Sequence, residues 1–262
     1  MNNLVAFGDS FTWGSELKDS LDKFNDFNNL SNRDIKILSQ NTAGPFFEKD
    51  FNHNHKSVLA CHSKNTWSAL LAEHLKLAYI CHAKPGCSNE TILRKLIQYI
   101  PNISNISSND FVVINWTYID RWDFVDPTAL PIDTQWTTIT PTNKNKSSFE
   151  KFYFKYIQSE LLHKWESLRN ILLAIKVLKE KNIKFLMTCT DKLILDQTYH
   201  APSYIKNIQA EIVDYITWFE GKGFNDWCTD NNFPRGKENN HPLEEAHVAA
   251  FEYIKENYDF TK

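Results

Sequence analysis

The stretch Leu4-Val5-Ala6-Phe7-Gly8-Asp9-Ser10-Phe11-Thr12-Trp13-Gly14 decides how this chain is read. Four apolar residues, Leu4 to Phe7, have the character of a buried strand. They stop at Gly8-Asp9-Ser10, and apolar side chains resume at Phe11 and Trp13. Gly-Asp-Ser is good turn chemistry and could simply end a strand. Yet the chain has only seven glycines in 262 residues, and one stands at the mouth of the first strand with a serine two residues on. A serine at a tight strand-to-helix turn exposes its hydroxyl, and its own N–H points outward with the first amides of the helix. Nucleophile and oxyanion donor then coincide.

Three more apolar runs, at residues 77–81, 111–114 and 183–187, read as buried parallel strands like residues 4–7. Between and after them lie helical patterns. Trp67, Leu70, Leu71, His74 and Leu75 repeat at three and four residues, as do Ile92, Leu93, Leu96, Ile97 and Ile100. A longer helix runs from Leu161 to Leu178, and another through Ile205, Ile208, Ile212, Ile216 and Phe219 ends at the Gly221/Gly223 pair. Strands alternating with helices predict an α/β fold, a central parallel sheet covered on both faces. No repeat or linker divides the chain, so one domain over residues 1–262 is expected. Two stretches break the alternation: 18–64, rich in Asn, Asp, Ser and Lys, and 118–156, rich in aromatics. Each begins soon after the C-terminal end of a proposed strand, at the sheet edge where open α/β folds bind ligands.

Composition narrows the function. Hydrophobic residues make up 42% and charged residues 23%, with a formal charge of −3, so no electrostatic footprint for nucleic acid or anionic membrane is present. No apolar run is long enough to span a bilayer, and the first strand begins too early for a signal peptide. A cytoplasmic location is expected, with virion association or non-classical release left open. The five cysteines are widely spaced without a CxxC pair, which fits reduced thiols. His53, His55, Cys61-His62 and Cys81-His82 match no compact four-ligand pattern, and no metal or cofactor is expected.

A nucleophilic serine needs a histidine base, and the base needs a carboxylate to hold its tautomer. Of nine histidines, His241 stands out, in Lys237-Glu238-Asn239-Asn240-His241-Pro242-Leu243. Pro242 suits the first turn of the last helix. Glu238, three residues upstream, is near enough in a turn to reach the imidazole.

The opening Ala6-Phe7-Gly8-Asp9-Ser10-Phe11-Thr12-Trp13-Gly14, the late Glu238-Asn239-Asn240-His241-Pro242 and the α/β background resemble the SGNH/GDSL hydrolases, serine esterases on a flavodoxin-like three-layer α/β/α sheet. The resemblance implies Ser10 as nucleophile and His241 as base. Glu238 is implied as the acid, where the family usually has Asp. It also implies Gly86, in Ala83-Lys84-Pro85-Gly86-Cys87-Ser88-Asn89, as a second oxyanion donor beside the Ser10 N–H. The third block departs from the family pattern. The chain reads Val112-Val113-Ile114-Asn115-Trp116-Thr117-Tyr118, with Thr117 where the family has its donor Asn and Asn115 two residues earlier on the same face. Thr117 is the expected third donor and Asn115 the alternative. Should Glu238 not serve, Asp230 and Glu244 are the next candidates for the acid.

The substrate so implied is a carboxylic ester, a short-chain or O-acetyl ester, with a carbohydrate suggested by the aromatics of 118–156. For most of those aromatics, packing an extra helix on the core is the simpler role. Two rivals remain. Cys87 beside Gly86 could act as a nucleophile, although a small buried cysteine is the commoner fate. The fold could also serve as a binding protein for a carbohydrate or acyl ligand without turnover, because losing one oxyanion donor typically costs roughly 10²–10³ in rate.

Overall fold

The computed structural model describes residues 3–19, 62–100, 110–125, 136–141, 147–237 and 239–260. Strand β1 (Asn3–Phe7) lies between β2 (Ala78–Cys81) and β3 (Phe111–Trp116), and β6 (Lys184–Cys189) pairs with the far side of β3. Every pairing in the order β2-β1-β3-β6 is parallel, with Val5 opposite Ile80 and Val112, and Val113 opposite Leu186. All four apolar runs of the sequence are therefore strands of one sheet. This order is the start of the doubly wound flavodoxin-like arrangement.

The alternation along each strand divides the core. Val5, Phe7, Val112, Ile114, Trp116 and Met187 face one way, against α3 (Asn89–Tyr99), α5 (Glu160–Glu180) and α6 (Ser203–Ile212). Leu4, Ala6, Phe111, Val113 and Leu186 face the other, against α2 (Trp67–His74), α7 (Phe224–Asp230) and α8 (Glu244–Asn257). Such strands have no polar face to show, which is why they read as unbroken apolar runs. Each fully buried Leu, Val or Phe contributes about 1.5–3 kcal/mol. Helices are punctuated as their sequences suggest. Thr66, Ser88 and Ser159 accept from backbone N–H groups as N-caps of α2, α3 and α5. Among the described residues no helix is long and apolar enough to cross a membrane.

The helix expected to run to Phe219 stops early. After α6 a 3₁₀ turn (Val213–Tyr215) leads into extended backbone at Ile216, which bridges Met187 in parallel. Ile216 then packs in one core layer and Phe219 in the other, so the chain crosses the sheet edge where a helix would have kept both on one side.

Of residues 18–64, nearly all lie outside the described residues. Within 118–156 the chain forms an antiparallel hairpin, β4 (Trp122–Val125) with β5 (Trp136–Ile139), followed by α4 (Ser148–Tyr156). Buried Asp123 fastens the hairpin to α3 by accepting from Thr91 Oγ1 (2.6 Å) and Arg94 Nη1 (3.1 Å). Tyr153 alone of the α4 aromatics is buried. It stacks on Trp122 at 4.2 Å and hydrogen-bonds His163 of α5, whereas Phe149, Phe152 and Tyr156 are exposed.

Candidate active site

Ser10 is the first residue of α1 (Ser10–Trp13), a single turn set directly on the C-terminal end of β1. The glycine before it is required by space. A Cβ at Gly8 would come within 2.1 Å of Thr12 Oγ1 and 3.1 Å of the Asn115 carbonyl, so only a residue without a side chain lets the chain reverse against β3. Asp9 caps the turn, its Oδ1 accepting from Phe11 N at 3.0 Å.

His241 reaches this serine from the other end of the chain. Its Nε2 lies 2.8 Å from Ser10 Oγ, and its Nδ1 lies 2.8 Å from Glu16 Oε2. A carboxylate only accepts, so Nδ1 carries the proton and Nε2 is left to accept from the serine hydroxyl. Phe11 holds the imidazole edge-on, with ring centroids 5.2 Å apart. The His241 and Glu16 side chains are 13% and 8% exposed, so their interaction is little screened by water.

Among the described residues, the carboxylate that meets the His241 ring is that of Glu16. Glu238, expected in that place, lies outside the described residues, and the Nδ1 assigned to it is bonded to Glu16. The two reserve candidates are engaged elsewhere: Glu244 Oε1 accepts from Lys18 N at 2.7 Å, and Asp230 pairs with Lys222 at 2.7 Å. Glu16 also accepts from the N–H groups of Asn239 and His241, each at 3.2 Å, and so grips the His241 loop by its backbone. Its φ of 70° is unusual for a non-glycine residue, a local cost of the kind that gathers at functional sites. The opposing loop makes room for it, because a Cβ at Gly236 would come within 2.4 Å of the Glu16 carboxyl group.

Gly86 is brought beside this turn by the Gly8 carbonyl, which accepts from Lys84 N at 2.9 Å and from the Cys87 thiol at 3.3 Å. Gly86 has φ +76°, the left-handed region that favours glycine, and it is exposed. Among the described residues neither the Ser10 N–H nor the Gly86 N–H meets an acceptor.

The two side chains expected as third donor both bond within the fold. Thr117 is fully buried, and its hydroxyl donates to Asp9 Oδ2 at 2.6 Å. Asn115, also fully buried, gives its amide to Thr190 Oγ1 (3.2 Å) and accepts from Thr188 Oγ1 (2.9 Å), which ties β3 to β6 and the loop after it. The Thr117 hydroxyl has its one proton on Asp9, and the Asn115 amide is held within the sheet at both its oxygen and its nitrogen. Three residues that the motifs did not single out complete the frame. Asn89 clamps the backbone of Thr117 through both its N–H (2.8 Å) and its carbonyl (3.1 Å). Arg121 donates from Nη1 to Asp9 Oδ2 (2.8 Å) and to the Cys87 carbonyl (3.1 Å). Burial works against the Arg121 charge, but Asp9 foremost among its neighbours holds the guanidinium protonated above its ordinary value. Glu16 is the third.

Cys87 is no rival nucleophile. Its thiol is buried and directed at the Gly8 carbonyl, and burial, with Asp9 adding to it, pushes it up to about 12. His247 on α8 is neutral for the same reason: burial holds it down to about 3, and its Nδ1 accepts from Trp67 N at the start of α2. Just past β6, Asp191 is raised to about 7 by burial, with Asp226 and Asp120 adding to it.

A serine on the short turn after the first strand, a histidine from the loop before the last helix and a parallel sheet in this order define an α/β fold with a Ser–His–carboxylate arrangement at the C-terminal end of its strands. No family model and no curated protein matches the chain. Solved structures with a similar fold include a member of the lipolytic G-D-S-L family from Veillonella parvula, 8% identical with a TM-score of 0.46, covering 98% of each chain. Another is the psychrotrophic esterase EstA from Pseudoalteromonas sp., 9% identical with a TM-score of 0.46, covering 98% of this chain and 96% of that one. A third is an acetylxylan esterase from Geobacillus stearothermophilus, 10% identical with a TM-score of 0.44, covering 97% and 93%.

Proposed function

We propose that the chain is a serine hydrolase of carboxylic esters with a small acyl group. Ser10 is the nucleophile and His241 the proton carrier. Glu16 orients the imidazole, and the N–H groups of Ser10 and Gly86 receive the oxyanion. The observation that carries this reading is the unbroken Ser10–His241–Glu16 path of two 2.8 Å contacts, drawn from turns 231 residues apart in sequence. Ser10 is only 5% exposed, which favours a compact acyl group at the reacting centre, such as an acetyl.

In the first half-reaction Ser10 Oγ attacks the ester carbonyl carbon while its proton passes to His241 Nε2. Glu16 offsets the positive charge that develops on the ring. The tetrahedral oxyanion sits against the two backbone donors. It collapses by breaking the bond to the alcohol oxygen, which leaves with the proton from Nε2. Water repeats the sequence on the acyl-serine, returning the carboxylic acid and free Ser10.

An alkyl phosphonate ester probe tests this. Native protein should be labelled at Ser10 alone, and Ser10→Ala should remain folded while losing both labelling and ester hydrolysis. Labelling that persists in the variant refutes the assignment. The binding-protein reading, which rests on the Thr117 and Asn115 side chains bonding within the fold, predicts instead no phosphonylation of the native chain.

A further inference from the structure

Both proposed oxyanion donors are backbone groups on separate turns, one after β1 and one after β2. Their spacing is only as good as whatever ties the turns together. One tie lies upstream of the donors, where the Gly8 carbonyl accepts from Lys84 N and the Cys87 thiol. The other tie is Arg121. Its Nη1 reaches the side chain of Asp9, the residue before Ser10, and the carbonyl of Cys87, the residue after Gly86. A single nitrogen thus bonds to both turns, at the residue next in sequence to each donor. The side chain doing so is 12% exposed and the Asp9 carboxylate is 0% exposed, so the clasp is shielded from water. Tyr118 backs the guanidinium at 5.1 Å from its ring centroid, and Tyr118 in turn meets Phe11 edge-on at 6.3 Å. Thr117, at the place expected for a third donor, donates to the same oxygen, Asp9 Oδ2.

We propose that Arg121 is the positioning residue of the oxyanion hole: it fixes the Ser10 and Gly86 N–H groups relative to one another and stands in for a side-chain donor from the third strand. The proposal rests on the hydrolase reading above. Arg121 suits this task better than lysine, because a rigid guanidinium fixes the direction as well as the distance of its bonds. A positive charge held against the turn also favours negative charge developing beside it. Misplaced donors weaken the transition state more than the bound ester, so the loss falls on kcat.

The test compares native protein with Arg121→Ala and Arg121→Lys. Three quantities are read: kcat and KM on 4-nitrophenyl acetate, the rate of phosphonylation of Ser10, and the thermal midpoint. Arg121→Ala is expected to lower kcat by about 10- to 1,000-fold with KM held within about threefold. Phosphonylation should slow in parallel. Added guanidinium, far below its denaturing range, should restore part of both rates, a rescue that a purely structural role would not give. Should Arg121→Ala fail to fold because Asp9 is left buried without its counter-charge, Arg121→Lys carries the test with a reduced kcat at unchanged KM. A folded variant with native kcat and a native phosphonylation rate overturns the proposal. So does an equal loss at KM and kcat without rescue. If native protein is not phosphonylated at Ser10, the hydrolase reading falls first and this proposal with it.

Discussion

Replacing Glu16 by glutamine separates the two carboxylates that compete for the role of acid. Glu16 Oε2 serves both His241 Nδ1 at 2.8 Å and His241 N at 3.2 Å, while both carboxylate oxygens share Asn239 N at 3.2 Å. Glutamine has one oxygen for these positions and brings two donors. If its oxygen faces His241, its NH₂ group confronts the Asn239 N–H, donor against donor. If it turns over, its NH₂ group confronts Nδ1 and drives the imidazole to the opposite tautomer, whose Nε2 cannot take the serine proton. Both arrangements also lose the negative charge that stabilises the imidazolium in the transition state. The expected loss is about 10²–10⁴ in kcat, or about 3–5 kcal/mol, with KM little changed. The assay is initial rates on 4-nitrophenyl acetate across pH, alongside thermal melts of each variant. Glu238→Gln measured in parallel should stay within about threefold of native activity. A Glu16→Gln variant at native rate beside a crippled Glu238→Gln variant would refute the argument.

Asp191 supplies a pH-dependent prediction. Burial lifts its carboxyl from the ordinary 3.8 to about 7, so between those values the folded chain holds a proton the unfolded chain has released. Stability therefore falls as pH rises through that window, and Asp191→Asn removes the fall. Its Oδ1 can still accept from Leu193 N, as now at 2.7 Å, so the variant should be more stable than native by about 2–4 kcal/mol at pH 8 and converge with it near pH 4. Chemical denaturation at both pH values checks this, and parallel offsets would contradict it. Thr117→Val removes one buried hydrogen bond to Asp9 and should cost about 1–3 kcal/mol of stability while leaving kcat within about threefold. A hundredfold fall in kcat at unchanged stability would return the donor role to Thr117.

The parts legible in the sequence are those governed by local pattern. A strand covered on both faces must be apolar throughout, so residues 4–7, 77–81, 111–114 and 183–187 announce the sheet. Ser10 is legible because a strand-ending glycine followed by Asp and Ser is a local event. His241 is legible because Pro242 marks a helix start. Glu16 was not, for a geometric reason. The carboxylates near His241 in sequence are the local candidates for the acid, whereas the one that meets its ring lies 225 residues away along the chain. Its one local trace is Gly14, which ends α1 after four residues and turns the chain back toward its own start. Arg121 was hidden in the same way, since its meaning depends on Asp9, 112 residues distant. Helical spacing also misled at Ile216 and Phe219. Two apolar residues three apart are equally well placed for a chain that crosses a sheet edge, and periodicity does not distinguish the cases.

The two carboxylates of the opening segment explain why this site needs both. Asp9 and Glu16 are seven residues apart and both are sequestered from water, yet they face opposite duties. The Asp9 carboxylate accepts from Phe11 N, Thr117 Oγ1 and Arg121 Nη1, a set of donors that includes a full positive charge. So satisfied, it shapes the turn on which Ser10 sits. Glu16 accepts from backbone N–H groups and from the imidazole, and His241 gains a positive charge only when it takes up the serine proton. Its stabilisation of that ring is therefore greatest in the transition state, the condition under which a charge contributes to rate rather than to binding alone. Exchanging the two environments would defeat both functions. A Glu16 paired with arginine would hold its charge for the arginine, and an Asp9 without one would leave a buried charge pulling the nucleophile turn out of shape.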